Sequence, residues 1–526
     1  MKKQPYPIAQ LTGGLDVSVD PVFLMDKASP FIHNVWLHKG LVKKGLGRAV
    51  FGTVSGSGLP LSGTVMYIDS FPLSNSDMHY LFMTESYVYS YNSTTGLYAK
   101  MNKVSGTPVP FTGTVDNCFS SAIGISSGGA EWYLLSNGID DIQYWDGNLS
   151  NKFANLAGWE TATGNVQASQ LIYFKNRLVA GGTTEAGNAC PKRIRWSAAG
   201  DITDITGTGS GFFDLVDTDD WITSLVHMKD KLYVFKERSI WELEYVGGTT
   251  VFNPIIKIEG VGTYAPNSIV PLDEEILFYG SDNIYTFDGF GLKPIGAQIY
   301  SYLYETKERV INNTVSARFC ASYLEELKLY VLCVARAQKQ IPDLTFSYDF
   351  DYKAWTMRVK EITAIGFFDV ETGDPWNALV GDWNNGPGNE QDWVWMSRDL
   401  AAGAPTTLYG DSSGYVWEDD RTTKDTDYMC YQTKDFLFDH AVRWVEFRMQ
   451  IVGGPFIVSY STDTGVSWSD AKSFGASTNW TEYTMFLNFT SQKVRFKIEC
   501  AAQDLQIKWL EPWFIPRARS KVLRTA

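Results

Sequence analysis

A chain of 526 residues exceeds what one ordinary hydrophobic core organises, which points to several domains or to a repeat architecture. Aromatic residues at 14 % and 46 glycines, with Tyr, Trp and Phe recurring beside Thr, Val and Ile, favour pleated sheets and tight turns over long helices. The formal charge of −14 opposes stable binding to nucleic acid or an anionic membrane, and no apolar run reaches the roughly 18 residues of a membrane helix.

The opening residues, MKKQPYPIAQ, lack the apolar core of a signal peptide, so synthesis in the cytoplasm is expected. Residues 1–55 read as an arm. TGGLDVSVDP turns on Gly13 and Gly14 and again at Asp20 and Pro21, and FIHNVWLHKGLVKKGLGR reads as a strand, a turn at Lys39-Gly40, and a second strand.

From residue 56 to about 425 a phrase recurs in which a turn precedes two or three alternating apolar or aromatic positions, often closed by an acidic residue and Gly. Seven copies centre on Val88, Ile142, Ile194, Ile240, Ile284, Phe346 and Val416, spaced on average roughly 55 residues apart. Most follow a second apolar strand that would pair with them as a hairpin: HYLFM, EWYLL, NRLVAGG, KLYVF, EILFYG, LKLYVLCV and TTLYG. A two-stranded unit is marginal alone, so successive units must stack, and radial stacking protects their edges. The expected fold is all-β, a propeller of about seven blades. A Trp-rich, acidic stretch at residues 371–399 reads as an insertion in one blade.

Residues 426–516 carry longer alternating strands, such as RWVEFRMQIV, YTMFLNFT and KVRFKIECA, and suit a β-sandwich of jelly-roll type. Within it Ser461, Asp463, Gly465 and Trp468 fit the Asp-box pattern S-x-D-x-G-x-x-W, a folded hairpin turn in sialidases and many other β proteins. Its Asp accepts backbone N–H bonds, its Gly takes positive φ, and its Trp packs beneath, so its expected role is structural. Residues 517–526 form a basic tail with Arg517, Arg519, Lys521 and Arg524, matching a second basic cluster at Lys39, Lys43, Lys44 and Arg48.

Patterns that could carry chemistry read as structure. Gly124-Ile125-Ser126-Ser127-Gly128 matches the nucleophile elbow, yet a strand rather than a helix follows it. The five histidines, His33, His38, His79, His227 and His440, show no metal-ligand spacing, and His33 and His38 are expected on different faces. Cys118, Cys190, Cys320, Cys333, Cys430 and Cys500 lack C-x-x-C pairs and read as buried thiols. Acidic pairs at Asp140-Asp141, Asp219-Asp220, Glu274-Glu275, Glu325-Glu326 and Asp419-Asp420 read as solvated hairpin ends rather than glycosidase dyads or calcium ligands. Five N-x-S/T matches are what a Ser/Thr-rich chain contains by chance. No enzyme activity, metal or cofactor is expected.

The order of elements in the arm, GGLDVSVDP, then His33-Asn34-Val35-Trp36, then Lys39 to Gly45, resembles the opening of tail nozzle or packaged-DNA stabilisation proteins of short-tailed bacteriophages. The C-terminal SYSTDTGVSW, KVRFKIEC and WLEPWFIPRAR are similar to the sandwich of the same group. The resemblance covers roughly the first 50 and last 100 residues, and the 371–399 insertion has no counterpart in it. It implies a structural protein of the virion tail, made in the host cytoplasm, that forms a homo-oligomeric ring, a hexamer in that group. Such a ring joins a portal or adaptor ring to tail fibres or spikes, helps retain the packaged genome and makes transient contact with passing double-stranded DNA. An acidic bore would keep that DNA mobile. Gly13, Gly14, Asp20, Pro21, Asn34, Gly40, Lys43 and Lys44 would form an assembly arm, and the tail basic residues would touch neighbours or DNA. The alternatives are a carbohydrate-binding or depolymerising tail protein, with loop residues such as Asp382 or Trp383 at the sugar, and a bacterial surface or scaffold propeller.

Overall fold

The computed structural model describes all residues except 1, 9, 53–58, 74–77, 94, 102–109, 162–163, 249, 306, 308, 369–404, 425–426, 470, 502–503 and 517–526. The 371–399 insertion, with Asp382 and Trp383, and the basic tail, with Arg517, Arg519, Lys521 and Arg524, lie outside the described residues.

Alternating apolar residues and short turns fold locally into hairpins, and the hairpins assemble into seven successive antiparallel sheets. These occupy residues 65–100, 120–155, 160–214, 222–259, 270–294, 320–359 and 364–424 and are the blades of a β-propeller. In six of the blades the recurring phrase is the third strand and the apolar strand before it is the second; the five-stranded third blade carries them as its fourth and third strands. In the fourth blade, for example, Lys231–Lys236 pairs with Ser239–Tyr245. Two-residue turns set several registers: Phe174 pairs with Arg177 across Lys175 and Asn176, both at positive φ, and Glu185 pairs with Asn188 across Ala186 and Gly187 in the same conformation. Positive φ at both central positions matches the right-handed twist of the flanking strands.

Middle strands bury both faces. In Met78–Thr84, Tyr80 and Phe82 join a cluster with Leu408 and Val416 of the seventh blade, while Leu81 and Met83 join one with Tyr133 and Leu135 of the second. Leu134 in turn packs with Leu178 and Ala180 of the third. The first and second blades are thus each a layer between two others, which is why their second strands read as continuous apolar runs. Small residues allow the closest approaches: a Cβ on Gly366 would lie 2.4 Å from Ile68 Cγ2.

The chain divides into two compact units that do not follow its linear order. One comprises residues 1–49, 261–361 and 420–526, and the other residues 50–260 and 362–419. The arm expected at 1–55 does not stand apart, because its strands fill the open edges of distant sheets. Gly14–Leu15 and Ala28–Ser29 extend the sixth blade through Trp355, and Leu46–Val50 is the fourth strand of the seventh.

At the C-terminal end the expected jelly-roll sandwich is a connected sheet of ten strands. It contains Met429–Gln432, Phe436–Gly453, Phe456–Ser461, Lys472–Phe474, Ser477–Cys500 and Leu505–Ile515, together with the arm strands Gln4–Pro5, Ile32–His33, Val35–His38 and Leu41–Lys44. Ser477–Cys500 joins its two parts, pairing mainly through its first half with Phe436–Gly453 and through its last residues with Met429–Gln432 and Phe456–Ser461. Phe447 from one part stacks on Phe496 from the other with centroids 4.0 Å apart, closing an apolar core around Trp444, Met449, Ile498 and Leu510.

Candidate assembly surface on the N-terminal arm

The arm residues singled out in the sequence are mostly engaged inside their own unit. Gly13 and Gly14 lie where backbones nearly touch: a Cβ on Gly13 would sit 2.7 Å from Ala28 N, and one on Gly14, at φ +65°, would sit 2.4 Å from Trp355 O. Asn34 is buried at φ +53°. Its N–H donates to Met357 O, its carbonyl accepts from Gly45 N–H, and its Nδ2 donates to Asp427 O. Asn tolerates this left-handed conformation better than other side chains of its size.

Gly40 follows Lys39 in a two-residue turn with both at positive φ, and its N–H donates to Tyr352 Oη. Lys43 pairs in the ladder with Gln506, and its Nζ lies 5.8 Å from the Trp36 ring. Burial lowers its pKa, an effect that Asp504 opposes and Lys39 reinforces. Lys44 is buried, with Nζ donating to Ala501 O at 3.0 Å. Lys44 therefore ties the arm into its own unit and is closed to phosphate or a neighbouring subunit.

Asp20 and Pro21 behave differently, because they open a braced loop that reaches solvent. Asp20 Oδ1 accepts from Val22 N–H and its carbonyl from Phe23 N–H. Pro21 O accepts from Asp435 N–H, Lys434 Nζ donates to Leu24 O and pairs with Asp26, and Tyr6 Oη also donates to Asp26. Leu24 is buried beneath, which leaves Phe23 79 % and Met25 68 % exposed on a fixed backbone, with Val19 beside them in the chain. Sequence reasoning passed over Phe23 and Met25. The available signal was the apolar run VFLM directly after a turn-forming Asp-Pro, where no strand alternation could bury all four side chains.

The remaining motifs hold turns and seams. Ser461 Oγ accepts from Gly465 N–H and donates to Asp463, whose carboxylate accepts from Ser467 N–H; Gly465 is at φ +85° and Lys497 Nζ lies 4.6 Å from the Trp468 ring. Hydrogen bonds from Ser461 and Ser467 hold the Asp463 carboxyl well below the usual carboxylate range. Ser126 sits in a turn between Ser120–Ile125 and Glu131–Ser136, its Oγ accepting from Ala130 N–H, so the strand-turn-helix of a nucleophile elbow is absent there. His33 is buried against Tyr428, with Nδ1 3.0 Å from Tyr428 O, whereas the half-buried His38 lies against Trp36. No cluster of three metal-ligating side chains occurs among the described residues.

Two acidic pairs depart from the solvated reading. Asp140 is buried and accepts from Thr112 and Asn137, and Asp220 is buried against Lys236 at 2.8 Å. Although burial alone would raise it, Asp220 is held below the ordinary range by Lys236, Thr218, Ser239 and the Arg238 N–H. Of their neighbours, Asp219 is exposed, whereas Asp141 is half-buried and accepts from Asn155 and Asn165. A further, half-buried carboxylate, Asp69, accepts from Ser121 at 2.6 Å and Tyr133 at 2.7 Å between the first two blades. Burial raises its pKa, outweighing those bonds and the one from Ser70 N–H.

No protein-family model and no curated protein matches this chain. Among solved structures it is similar to the WD40 domain of Neurospora crassa Pan2, with 9 % identity, 75 % of this chain and 98 % of the other covered, and a TM-score of 0.36. BBS1N in complex with ARL6DN gives 11 % identity, 72 % and 99 % coverage and a TM-score of 0.37. YCF48 from Cyanidioschyzon merolae gives 9 %, 69 %, 97 % and 0.36. At these scores the likenesses bear on neither partner nor activity.

Proposed function

We propose that this chain is a structural protein of a phage virion tail, a nozzle subunit that assembles into a homo-oligomeric ring around a DNA passage. The observation that carries the reading is the braced loop holding Phe23 and Met25 in water. Fully burying a side chain of either kind is worth about 1.5–3 kcal/mol, so a loop that keeps both exposed forgoes that gain unless a neighbour covers them. A second copy of the chain is the neighbour the arm resemblance implies, with six copies in that group. The net charge of −14 supports a bore past which DNA slides without adhering. Portal or adaptor ring, tail fibres or spikes, and transiently passing double-stranded DNA are the further partners of this reading, and the virion tail is its location.

Negative-stain microscopy and sedimentation of the purified chain test it. Rings are expected for the natural sequence, with Phe23→Ser/Met25→Ser sedimenting as a monomer whose circular dichroism is that of the natural chain. A chain that stays monomeric at high concentration, and shows no ring when mixed with a portal or adaptor ring, overturns the proposal.

A further inference from the structure

Cys320 and Cys333 lie directly opposite each other in the sixth blade. The hairpin of Cys320–Leu324 and Leu329–Val334 pairs Leu324 with Leu329 beside its turn and Cys320 with Cys333 at its far end. Directly opposed residues of an antiparallel ladder project from the same face with Cα atoms about 4.5 or 5.5 Å apart. Both spacings fall within the range of about 4.4–6.8 Å that a disulfide spans. All six cysteines are thiols here, and no other two share a ladder position among the described residues: Cys430 opposes Glu499, Cys500 opposes Met429 and Cys190 opposes Thr183.

Both thiols are buried, and Cys333 Sγ lies 3.7 Å from Thr345 Oγ1. Burial raises the Cys333 thiol, but hydrogen bonds with Cys320 and Thr345 and the Arg48 and Arg358 guanidiniums outweigh it, leaving a net displacement downward. A lowered thiol supplies more thiolate, the species that attacks disulfides. Cys320 begins its strand, two residues after the short 3-10 segment Asn313–Arg318. Strand ends open at lower free energy than strand centres, which gives a small reagent its entry.

We propose that Cys320 and Cys333 are a latent cross-strand disulfide, formed when the chain meets a low-molecular-weight disulfide such as oxidised glutathione. The Cys333 thiolate attacks one glutathione sulfur, breaking that S–S bond and releasing one glutathione thiolate. Cys320 then gives its proton to water and attacks the Cys333 sulfur, releasing the second glutathione. Two protein thiols are oxidised and one glutathione disulfide is reduced to two thiols. The bond staples the first strand of the sixth blade to the second, and it requires only an oxidising medium, whether or not the tail reading holds. Cβ atoms of opposed residues lie about 4.5–5.5 Å apart, against about 3.5–4.5 Å in a disulfide, so closure draws the strands together and the bond is readily reduced again.

Peptide mapping of the full chain tests this. After treatment with oxidised glutathione, acid quench and alkylation under denaturing conditions, trypsin cleaves after Arg318, Lys328 and Arg336 and places Cys320 in 319–328 and Cys333 in 329–336. The expected product is these two peptides linked and lighter by two hydrogens, separating on treatment with dithiothreitol. Cys320→Ser should abolish the link and leave Cys333 carrying glutathione. Recovery of both peptides alkylated while the half-exposed Cys118 or Cys190 has reacted overturns the proposal, as does pairing of either cysteine with the other four as often as with its opposite. The map of the natural sequence decides even where a variant folds poorly.

Discussion

Replacing Arg495 with methionine removes one half of a buried ion pair that holds the last part of the ten-stranded sheet. Arg495 Nε and Nη2 donate to the two carboxylate oxygens of Asp435 at 2.8 and 3.1 Å, Asp435 is fully buried, and Asp435 N–H holds Pro21 O at the base of the exposed loop. With the guanidinium gone, the carboxylate loses both of these bonds inside an apolar core that contains Phe436 and Phe496. Breaking such a pair from one side costs about 3–5 kcal/mol, whereas replacing both partners by apolar residues of similar size is often neutral or stabilising by about 1–4 kcal/mol. Arg495→Met should therefore lower unfolding free energy by about 3–5 kcal/mol, and Asp435→Leu/Arg495→Met should recover most of that loss. Urea titration followed by tryptophan fluorescence reads both, with Trp444 in the same core as reporter and an unchanged slope as the sign of an unchanged unfolding reaction. A single variant within about 1 kcal/mol of the natural chain, or a double variant as weak as the single, would refute the reasoning.

Gly14→Ala should destabilise by about 1–3 kcal/mol or more, since the new Cβ would meet Trp355 O at a backbone conformation strained for any L side chain. Gly291→Ala, in open space and without positive φ, should stay within about 0.5 kcal/mol; equal losses in the two melts would contradict the account. For Asp69 the folded pKa lies above that of the unfolded chain, so its contribution is full below the unfolded value of about 3.9 and is lost as pH rises through the folded one. Asp69→Asn should accordingly flatten the fall in stability from acid to neutral pH, and denaturation at pH values across that range giving parallel curves for both proteins would count against it. Asp463→Ala should loosen the turn at 461–468, seen as faster amide exchange there with the sheet core unchanged. An unaltered exchange pattern would show that the carboxylate does not hold the turn.

All seven hairpins were legible along the chain because each rests on neighbours in sequence. Outside the sixth blade, where residues 335–343 intervene, the two strands of each hairpin are joined by short turns, and burial on both faces leaves runs such as LKLYVLCV that need no distant partner to be recognised. The Asp-box was equally legible, the bonds of its Ser461 and Asp463 side chains falling between Ser461 and Ser467. Outer strands such as Ala154–Asn155 and Leu292–Pro294 were not, being too short and polar to carry a period. Nor was the inward turn of Asp140 and Asp220, since a carboxylate's burial depends on which partner meets it.

Local order, namely hairpin, turn and repeat, is what the amino-acid sequence by itself determined, because alternation and backbone preferences act over a few residues. Tertiary structure alone decided where the arm goes. Gly14–Leu15 finds the strand containing Trp355, Leu46–Val50 completes a sheet ending near residue 424, and His33 meets Cys430, each across more than 300 residues. Such pairings depend on which sheet edges remain open once every hairpin has formed, and unpaired backbone groups on those edges accept whatever strand the folded chain brings to them.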